Sequence, residues 1–196
     1  MMRGTRLTLL LAVALVAFVA APALELHAEN GEEAGNGEDA AAPEGRTADV
    51  IERALAFRDA YSARDADALW DLITESSRQG FEEDLSELQR AMRELPEERR
   101  DEVMPPLSVS PNDLIELRGG RDYFAWMLSE VDDEHLEQIG SLTLDAQGIR
   151  FDGDEEARLT WRAPEDADRE ARNLARDMPR TAVYENDRWH FVVTSD

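Results

Sequence analysis

The stretch TADVIERALAFRDAYSARDADALWDLITESS, Thr47–Ser77, decides the fold of this chain. Its first half carries apolar residues at i, i+4, i+7 and i+11, the spacing of one helix face: Val50, Ala54, Phe57 and Tyr61. Asp65 is a residue type that caps helices, since its side chain can accept a free backbone amide. The sequence therefore predicts two helices, Ala48–Ala63 and Ala66–Gln79, which form a hairpin whose aromatic face needs an apolar partner.

Further helices are predicted after this hairpin. Gly80 is predicted to end the second helix, and the same apolar spacing recurs in Phe81–Leu95. Ser110, with proline next and Asp113 at the third helical position, forms a capping box that starts a short helix through Leu117. The remaining predicted helices are Glu97–Met104 and Arg121–Val131.

Asp132, Asp133 and Glu134 are predicted to form an exposed acidic corner, after which the apolar period changes from 3.6 to 2. Five strands are predicted: Ile139–Asp145, Ile149–Asp152, Ala157–Arg162, Thr181–Glu185 and Trp189–Thr194. Turn residues between them favour an antiparallel sheet with one apolar face, formed by Leu142, Leu144, Ala157, Leu159, Trp161, Trp189, Phe191 and Val193. The connection Pro164–Pro179 is predicted to be an insertion that contains a weak helix.

The N-terminal residues predict export. Arg3 and Arg6 precede an apolar run that ends in Ala21-Pro22-Ala23, the pattern of a secretory signal peptide, with a second cleavage site after Ala28. Residues 24–46 are rich in Gly, Ala and Glu and are predicted to be a disordered linker, which leaves residues 47–196 as one domain. The protein is expected in the periplasm or outside the cell, and the alternative is an uncleaved segment that anchors it in the membrane.

Composition excludes several kinds of partner and chemistry. The 196 residues contain 44 acidic and 21 basic side chains, a net charge of −23, and every basic side chain is arginine. Nucleic acid is not expected as a partner, because binding phosphates requires a basic surface. The chain has no cysteine, so packing alone must stabilise the fold.

The order of elements resembles the nuclear transport factor 2-like superfamily, also called cystatin-like or SnoaL-like, and in particular its exported bacterial members of unassigned role. Two stretches carry the likeness, AFRDAYSARDADALW at Ala56–Trp70 and AVYENDRWHFVV at Ala182–Val193. The resemblance implies an α+β fold in which N-terminal helices pack on an antiparallel sheet that curls around the first helix as a cone. The segment Phe81–Asp133 has no counterpart in this likeness.

In that superfamily the mouth of the cone can hold an apolar ligand or an active site. The resemblance therefore makes seven aromatic residues candidates for lining a pocket: Phe57, Tyr61, Trp70, Phe124, Trp161, Trp189 and Phe191. The competing interpretation is that these side chains are ordinary core, since aromatic residues at helical or strand spacing usually pack.

No catalytic or metal-binding residue is assigned from the sequence, and no cofactor is expected. Tyr61 could donate a hydrogen bond as in the isomerases of the superfamily, but no matching carboxylate base is apparent; Asp122, Asp145 and Asp152 lie at turns or element ends. His190 alternates with Trp189 and Phe191 and is expected on the polar face of the sheet. The acidic groups at Asp132–His135 and Asp152–Glu156 lack the spacing of calcium or zinc ligands.

Three functions remain at this point. The first is an exported non-catalytic domain that binds a small apolar ligand or a partner protein, with a homodimer through the outer face of the sheet as one form of partnership. The second is a small-molecule enzyme of the SnoaL-like or ketosteroid isomerase type, which would need an acid buried near Tyr61. The third is an interaction domain that is tethered to a membrane by a retained N-terminal segment.

Overall fold

A computed structural model describes residues 44–97, 99–100 and 110–193, which belong to one compact unit of residues 41–194. The second unit, residues 1–40 with 195–196, lies outside the described residues. The predicted signal peptide and nearly all of the predicted linker also lie outside them. None of the described helices is long and apolar enough to cross a bilayer.

The predicted helical hairpin is confirmed. Helix α1, Glu44–Ser62, buries Val50, Ala54 and Phe57 on the face that the spacing indicated. Asp65 accepts the Ala68 amide at 3.0 Å and starts helix α2, Ala66–Leu72. Helix α1 begins at Glu44, four residues before the predicted Ala48, so the last three residues of the predicted linker are helical.

The predicted end of the second helix at Gly80 is wrong. The chain breaks instead at Ile73 and Thr74, and helix α3 runs through Gly80 from Glu75 to Glu94. Thr74 causes the break, because its hydroxyl accepts the Ser77 amide at 3.2 Å while its own amide donates to the Phe191 carbonyl at 3.0 Å. A local cap and a bond to the distant C-terminal strand thus both hold the start of the helix.

Two further helices lie beside α3. Helix α4, Pro111–Glu116, starts with the predicted capping box, in which the Ser110 hydroxyl accepts the Asp113 amide at 3.2 Å. Helix α5, Gly120–Ser129, packs along α3. The helices approach closely at Gly120, where a β-carbon would lie 2.8 Å from the Glu82 backbone nitrogen. The predicted helix Glu97–Met104 lies mostly outside the described residues.

The predicted acidic corner is exposed, as expected, but it starts a helix, and the strand predicted at Ile139–Asp145 is corrected by the structure. Asp132 accepts the His135 amide at 2.8 Å and caps helix α6, Asp133–Ser141, which packs on α1. Leu136 and Ile139 are both buried, as expected for residues one helical turn apart. Only Thr143–Leu144, strand β1, remains of the predicted strand.

The prediction of an α+β fold with antiparallel strands is confirmed. Strands β2, Arg150–Asp152, β3, Glu156–Arg158, β5, Thr181–Glu185, and β6, Arg188–Phe191, form a sheet in the order β2-β3-β5-β6. Strand β4, Trp161–Arg162, pairs with β1 in a second, two-stranded sheet. The strand predicted at Ala157–Arg162 is thus divided between the two sheets, each of which is short.

The predicted alternation along the strands is also confirmed. Trp189 and Phe191 are buried on either side of half-buried His190. The β5–β6 turn is made by Asn186 and Asp187, with φ of 53° and 63°, the left-handed pair typical of a two-residue hairpin loop. Helix α7, Arg169–Asp177, occupies the predicted insertion and follows its N-cap Asp168.

In the part of the chain that the structure describes, buried apolar side chains form two clusters. The main core lies between α1, α2, α3, α5, α6, α7 and the sheets and includes Trp189 and Phe191. The satellite cluster contains buried Met92 and Leu114, surrounded by half-buried residues of the neighbouring helices and their ends: Leu88, Leu95, Ile115, Leu117 and Trp126. Helix α3 contributes to both clusters, through Phe81 and Met92 respectively.

Candidate functional site

The seven aromatic residues predicted to line a pocket all belong to the main core. Tyr61 and Trp70 are half-buried, and the other five are buried. The five buried residues are Phe57, Phe124, Trp161, Trp189 and Phe191. Their side chains therefore contribute to packing.

The structure places these aromatic residues in separate groups. Phe57 contacts Phe191 with ring centroids 5.2 Å apart and Tyr61 at 6.3 Å. Trp70 lies 5.8 Å from Phe124, and Phe81 contacts both. The Trp189 ring packs against Tyr184 at 5.2 Å and Phe151 at 5.9 Å. Such edge-on and tilted contacts are the favoured packing geometries of aromatic side chains.

Trp161 lies apart from these groups, near the insertion. Its indole nitrogen donates to the Pro179 carbonyl at 2.8 Å, which ties β4 to the end of the insertion. This bond satisfies the polar atom of a side chain that is 6% exposed. Trp161 thus has a structural role in this arrangement.

Tyr61 has no carboxylate partner within the part of the chain that the structure describes. Burial raises the pKa of its phenol, so the hydroxyl remains protonated at neutral pH. Its hydroxyl forms no hydrogen bond with a described residue, although the ring contacts Phe57. A donor is present at this position, but the second group of an isomerase site is not beside it.

The three acids considered from the sequence each have another contact. Asp145 accepts the Gln147 amide at 3.2 Å and pairs with Arg162. Asp122 accepts the Arg118 amide at 3.2 Å, and Asp152 lies 3.9 Å from a guanidinium nitrogen of Arg158. These carboxylates stabilise turns, a helix start and a strand pair.

A small cleft opens between α1 and the β5–β6 hairpin. Its volume is about 210 Å³, below the roughly 300 to 1,000 Å³ of typical small-molecule sites. The residues that line this α1–hairpin cleft come from the first turns of α1 and from the hairpin: Asp49, Glu52, Arg53, Tyr184, Asp187, Arg188 and Trp189. The cleft therefore has the size to hold a single side chain.

Charges of both signs surround the α1–hairpin cleft. Burial, and then the neighbouring cation of Arg188, lower the pKa of Arg53, while Glu52 opposes this shift. The Arg53 side chain donates to the Trp189 carbonyl at 3.3 Å, which fixes one cation at the wall. The two guanidinium groups thus lie near enough to repel each other, and the carboxylates around them offset part of that repulsion.

Aromatic groups complete the cleft. The Arg46 guanidinium lies over the Tyr184 ring, 5.2 Å from its centroid, and also pairs with Asp154. Trp189 is 1% exposed, and its indole nitrogen has no hydrogen-bond partner among the described residues.

Of the residues that line this cleft, sequence reasoning selected only Trp189. The available signal was the charged triple at i, i+3 and i+4 of α1: Asp49, Glu52 and Arg53.

The two histidines in the described part of the chain have lowered pKa values. Burial lowers the pKa of His135, and the carboxylates of Asp132, Glu170 and Asp177 oppose it. The pKa of His190 is lowered first by burial and then by the Arg53 cation. Among the described residues, no three metal-ligating side chains of His, Cys, Asp or Glu are grouped together.

Comparison with known proteins yields no relative. No protein-family model matches the chain, and no match is found among curated proteins or among solved structures.

Proposed function

We propose that this protein is an exported, non-catalytic domain that binds a partner protein, and that the α1–hairpin cleft receives a side chain of that partner. The observation that carries the proposal is the cleft itself, about 210 Å³ in volume and lined by two arginines, three acids, Tyr184 and Trp189. Interfaces between proteins are enriched in arginine and aromatic residues. A partner side chain that carries charge would find a countercharge on either wall.

A partner protein is favoured over a small apolar ligand in the interior. Phe57 and Phe191 contact each other at 5.2 Å, and Trp70 and Phe124 at 5.8 Å. An apolar ligand would have to separate these rings, which costs packing energy that the ligand must regain. The cleft at the surface requires no such rearrangement.

Membership in the nuclear transport factor 2-like superfamily is part of the proposal. It is supported by the order of elements, helices followed by antiparallel strands, and by the contacts of α1 with β1 and β6. The cone requires sheets that curve around α1. The strands of both sheets are short, with two to five residues each. An experimental structure in which the strands continue around α1 would support the assignment, whereas a flat sheet beside α1 would contradict it.

Native mass spectrometry of the protein isolated from the cell envelope of its own organism tests the function. The expected result is a chain that begins near Leu24 or Glu29 and carries a second protein at fixed stoichiometry. A retained small molecule without a second protein would contradict the proposal and favour the ligand-binding alternative. A mass that includes the leader would show that it is not cleaved and would favour the tethered domain.

Charge reversal at the cleft then tests the site. Arg188→Glu inverts an exposed cation at the cleft, whereas Arg118→Glu makes the same change at an exposed position outside it. We expect Arg188→Glu to weaken binding of the captured partner about tenfold or more, as is typical of central interface residues, and Arg118→Glu to leave it unchanged. Equal effects of the two changes on the dissociation constant would refute a role for the cleft.

A further inference from the structure

Helix α7 is fixed to the protein by one face. Ala171, Leu174 and Ala175 are buried, as is Met178 just after the helix. The helix contacts α6 and β4, and its first turn is capped by Asp168, which accepts the Ala171 amide at 2.9 Å. The opposite face is therefore held in a constant orientation towards solvent.

That opposite face is basic. Arg169, Arg172 and Arg176 recur at i, i+3 and i+7, and Arg180 follows shortly after the helix; all four are exposed. These four residues are called the α7 arginine face. Helix α7 also carries Glu170 and Asp177, but their charges act on His135, on the side of α7 towards α6.

The α7 arginine face has acidic neighbours in the sequence, Asp168, Glu170 and Asp177, but it forms no ion pair in the described part of the chain. Arg172 donates to the Ala167 carbonyl at 2.7 Å, and no ion pair with a described residue involves any of the four. Some arginines elsewhere reach acids on other elements, as Arg64 reaches Asp133 and Arg121 reaches Asp67, both at 2.7 Å. Others, such as Arg118 and Arg150, also form no ion pair with a described residue, but they are isolated, whereas the α7 arginines recur along one helix.

Stability alone is a poor reason for this arrangement. The helix macrodipole favours Arg176 in the last turn of α7, but it disfavours Arg169 in the first turn, where acids are favoured over cations. In a chain with 44 acidic residues, countercharges for surface cations are abundant. A cationic face whose side chains form no ion pairs has unused capacity to bind carboxylates.

We propose that the α7 arginine face binds a short acidic segment of a partner protein. Arg169 and Arg176 are separated by about 10 Å along the helix axis, and alternate side chains of an extended segment are about 6.6 Å apart. Two or three acidic residues at alternate positions can therefore reach the face together. Each guanidinium can hold a carboxylate through two parallel hydrogen bonds.

The charge of the whole chain selects a short segment over a larger polyanion. A net charge of −23 repels nucleic acid and anionic bilayers, which carry negative charge over distances well beyond the face. A short peptide approaches with its charge confined to about one screening length, roughly 10 Å at moderate salt. The α7 arginine face shares no residue with the α1–hairpin cleft, so this inference goes beyond the proposed function.

The test uses the full chain and a fluorescent peptide of alternating Glu and Ser, about five residues long with three Glu, whose binding is followed by fluorescence anisotropy. The peptide with Gln in place of Glu is the control ligand. We expect binding of the acidic peptide only, weakened as salt is raised. The variant with Arg169→Gln, Arg176→Gln and Arg180→Gln should bind at least tenfold more weakly.

A matched variant removes the same charge elsewhere. Arg90→Gln, Arg93→Gln and Arg118→Gln change exposed arginines outside α7, and this variant should bind as the unmodified chain does. Thermal melting of both variants establishes that they fold. Equal weakening in the two variants, or no binding of the acidic peptide to the unmodified chain, would overturn the inference.

Two further outcomes would also overturn it. Duplex DNA or phosphatidylglycerol vesicles that bind the α7 arginine face more tightly than the peptide would show that its ligand belongs to another class. Loss of peptide binding in Arg188→Glu but not in the α7 variant would place the peptide in the α1–hairpin cleft. That last result would support the cleft as a protein-binding site while rejecting the α7 arginine face.

Discussion

The main core and the satellite cluster are built differently. The main core joins elements from both ends of the domain, and Trp189 and Phe191 are almost completely buried in it. The satellite cluster is formed by helices α3, α4 and α5, and among the described residues only Met92 and Leu114 in it are buried. Its other members remain half exposed to solvent.

This difference indicates that stability is distributed unevenly. Hydrophobic stabilisation rises with the apolar area removed from water. The main core buries large aromatic side chains such as Trp189 and Phe191, whereas Trp126 in the satellite cluster is only half-buried. Helix α3 connects the two, because Phe81 packs in the main core while Met92 packs in the satellite cluster. Substitutions can therefore be ordered by the cluster they disturb.

The largest expected effect is at Trp189. Trp189→Ala should lower the free energy of unfolding by about 3 to 5 kcal/mol, because it removes a fully buried ring and leaves a cavity. Urea denaturation at neutral pH measures the change. If the alanine variant does not fold, Trp189→Phe can be measured in its place and should lose less stability. His190→Ala, on the other face of the same strand, should change stability by less than about 1 kcal/mol. A large loss at His190 with little at Trp189 would place the strand register one residue away.

A smaller effect is expected in the satellite cluster. Leu114 is 1% exposed, and Leu114→Ala should cost about 2 to 3 kcal/mol, at the lower end for buried leucine because half-exposed neighbours can move into the space. Ile115→Ala, at a half-buried position beside it, should cost clearly less. If Leu114→Ala cost as much as Trp189→Ala, the two clusters would be equally important and the comparison would fail.

The capping box of α4 contributes less again. Ser110→Ala removes the acceptor for the Asp113 amide and should cost about 1 kcal/mol. Ser110→Asp retains an acceptor at the cap and should restore most of the loss, which differential scanning calorimetry can resolve. No loss in the alanine variant would mean that solvent satisfies the first turn of α4 equally well.

Local chemistry explains which parts of the fold were predictable. The β5–β6 hairpin could be read from the sequence because alternation and an Asn-Asp turn specify strand, register and loop together. The α4 cap and the first hairpin were predictable for the same reason, since both depend on residues a few positions apart. These signals act within one element or one turn.

Features that depend on distant residues were not predictable. Thr74 starts α3 while bonded to Phe191, a residue 117 positions later. The α1–hairpin cleft combines side chains of α1 with a hairpin that begins more than 100 residues further on. The pattern of residues within a short stretch of sequence contains no information about contacts between distant residues.

The smallest expected effect is at Gly80, which was predicted to end a helix but lies within α3, the helix that connects the two clusters. A β-carbon at Gly80 would meet no atom within 4 Å, and glycine costs an exposed helix about 0.5 to 1 kcal/mol relative to alanine. Gly80→Ala should therefore stabilise the protein by about that amount in urea denaturation. Gly120→Ala is the control and should destabilise, because its β-carbon would lie 2.8 Å from the Glu82 nitrogen. A loss of stability at Gly80 would mean that this residue ends a helix in solution, which would separate the satellite cluster from the main core.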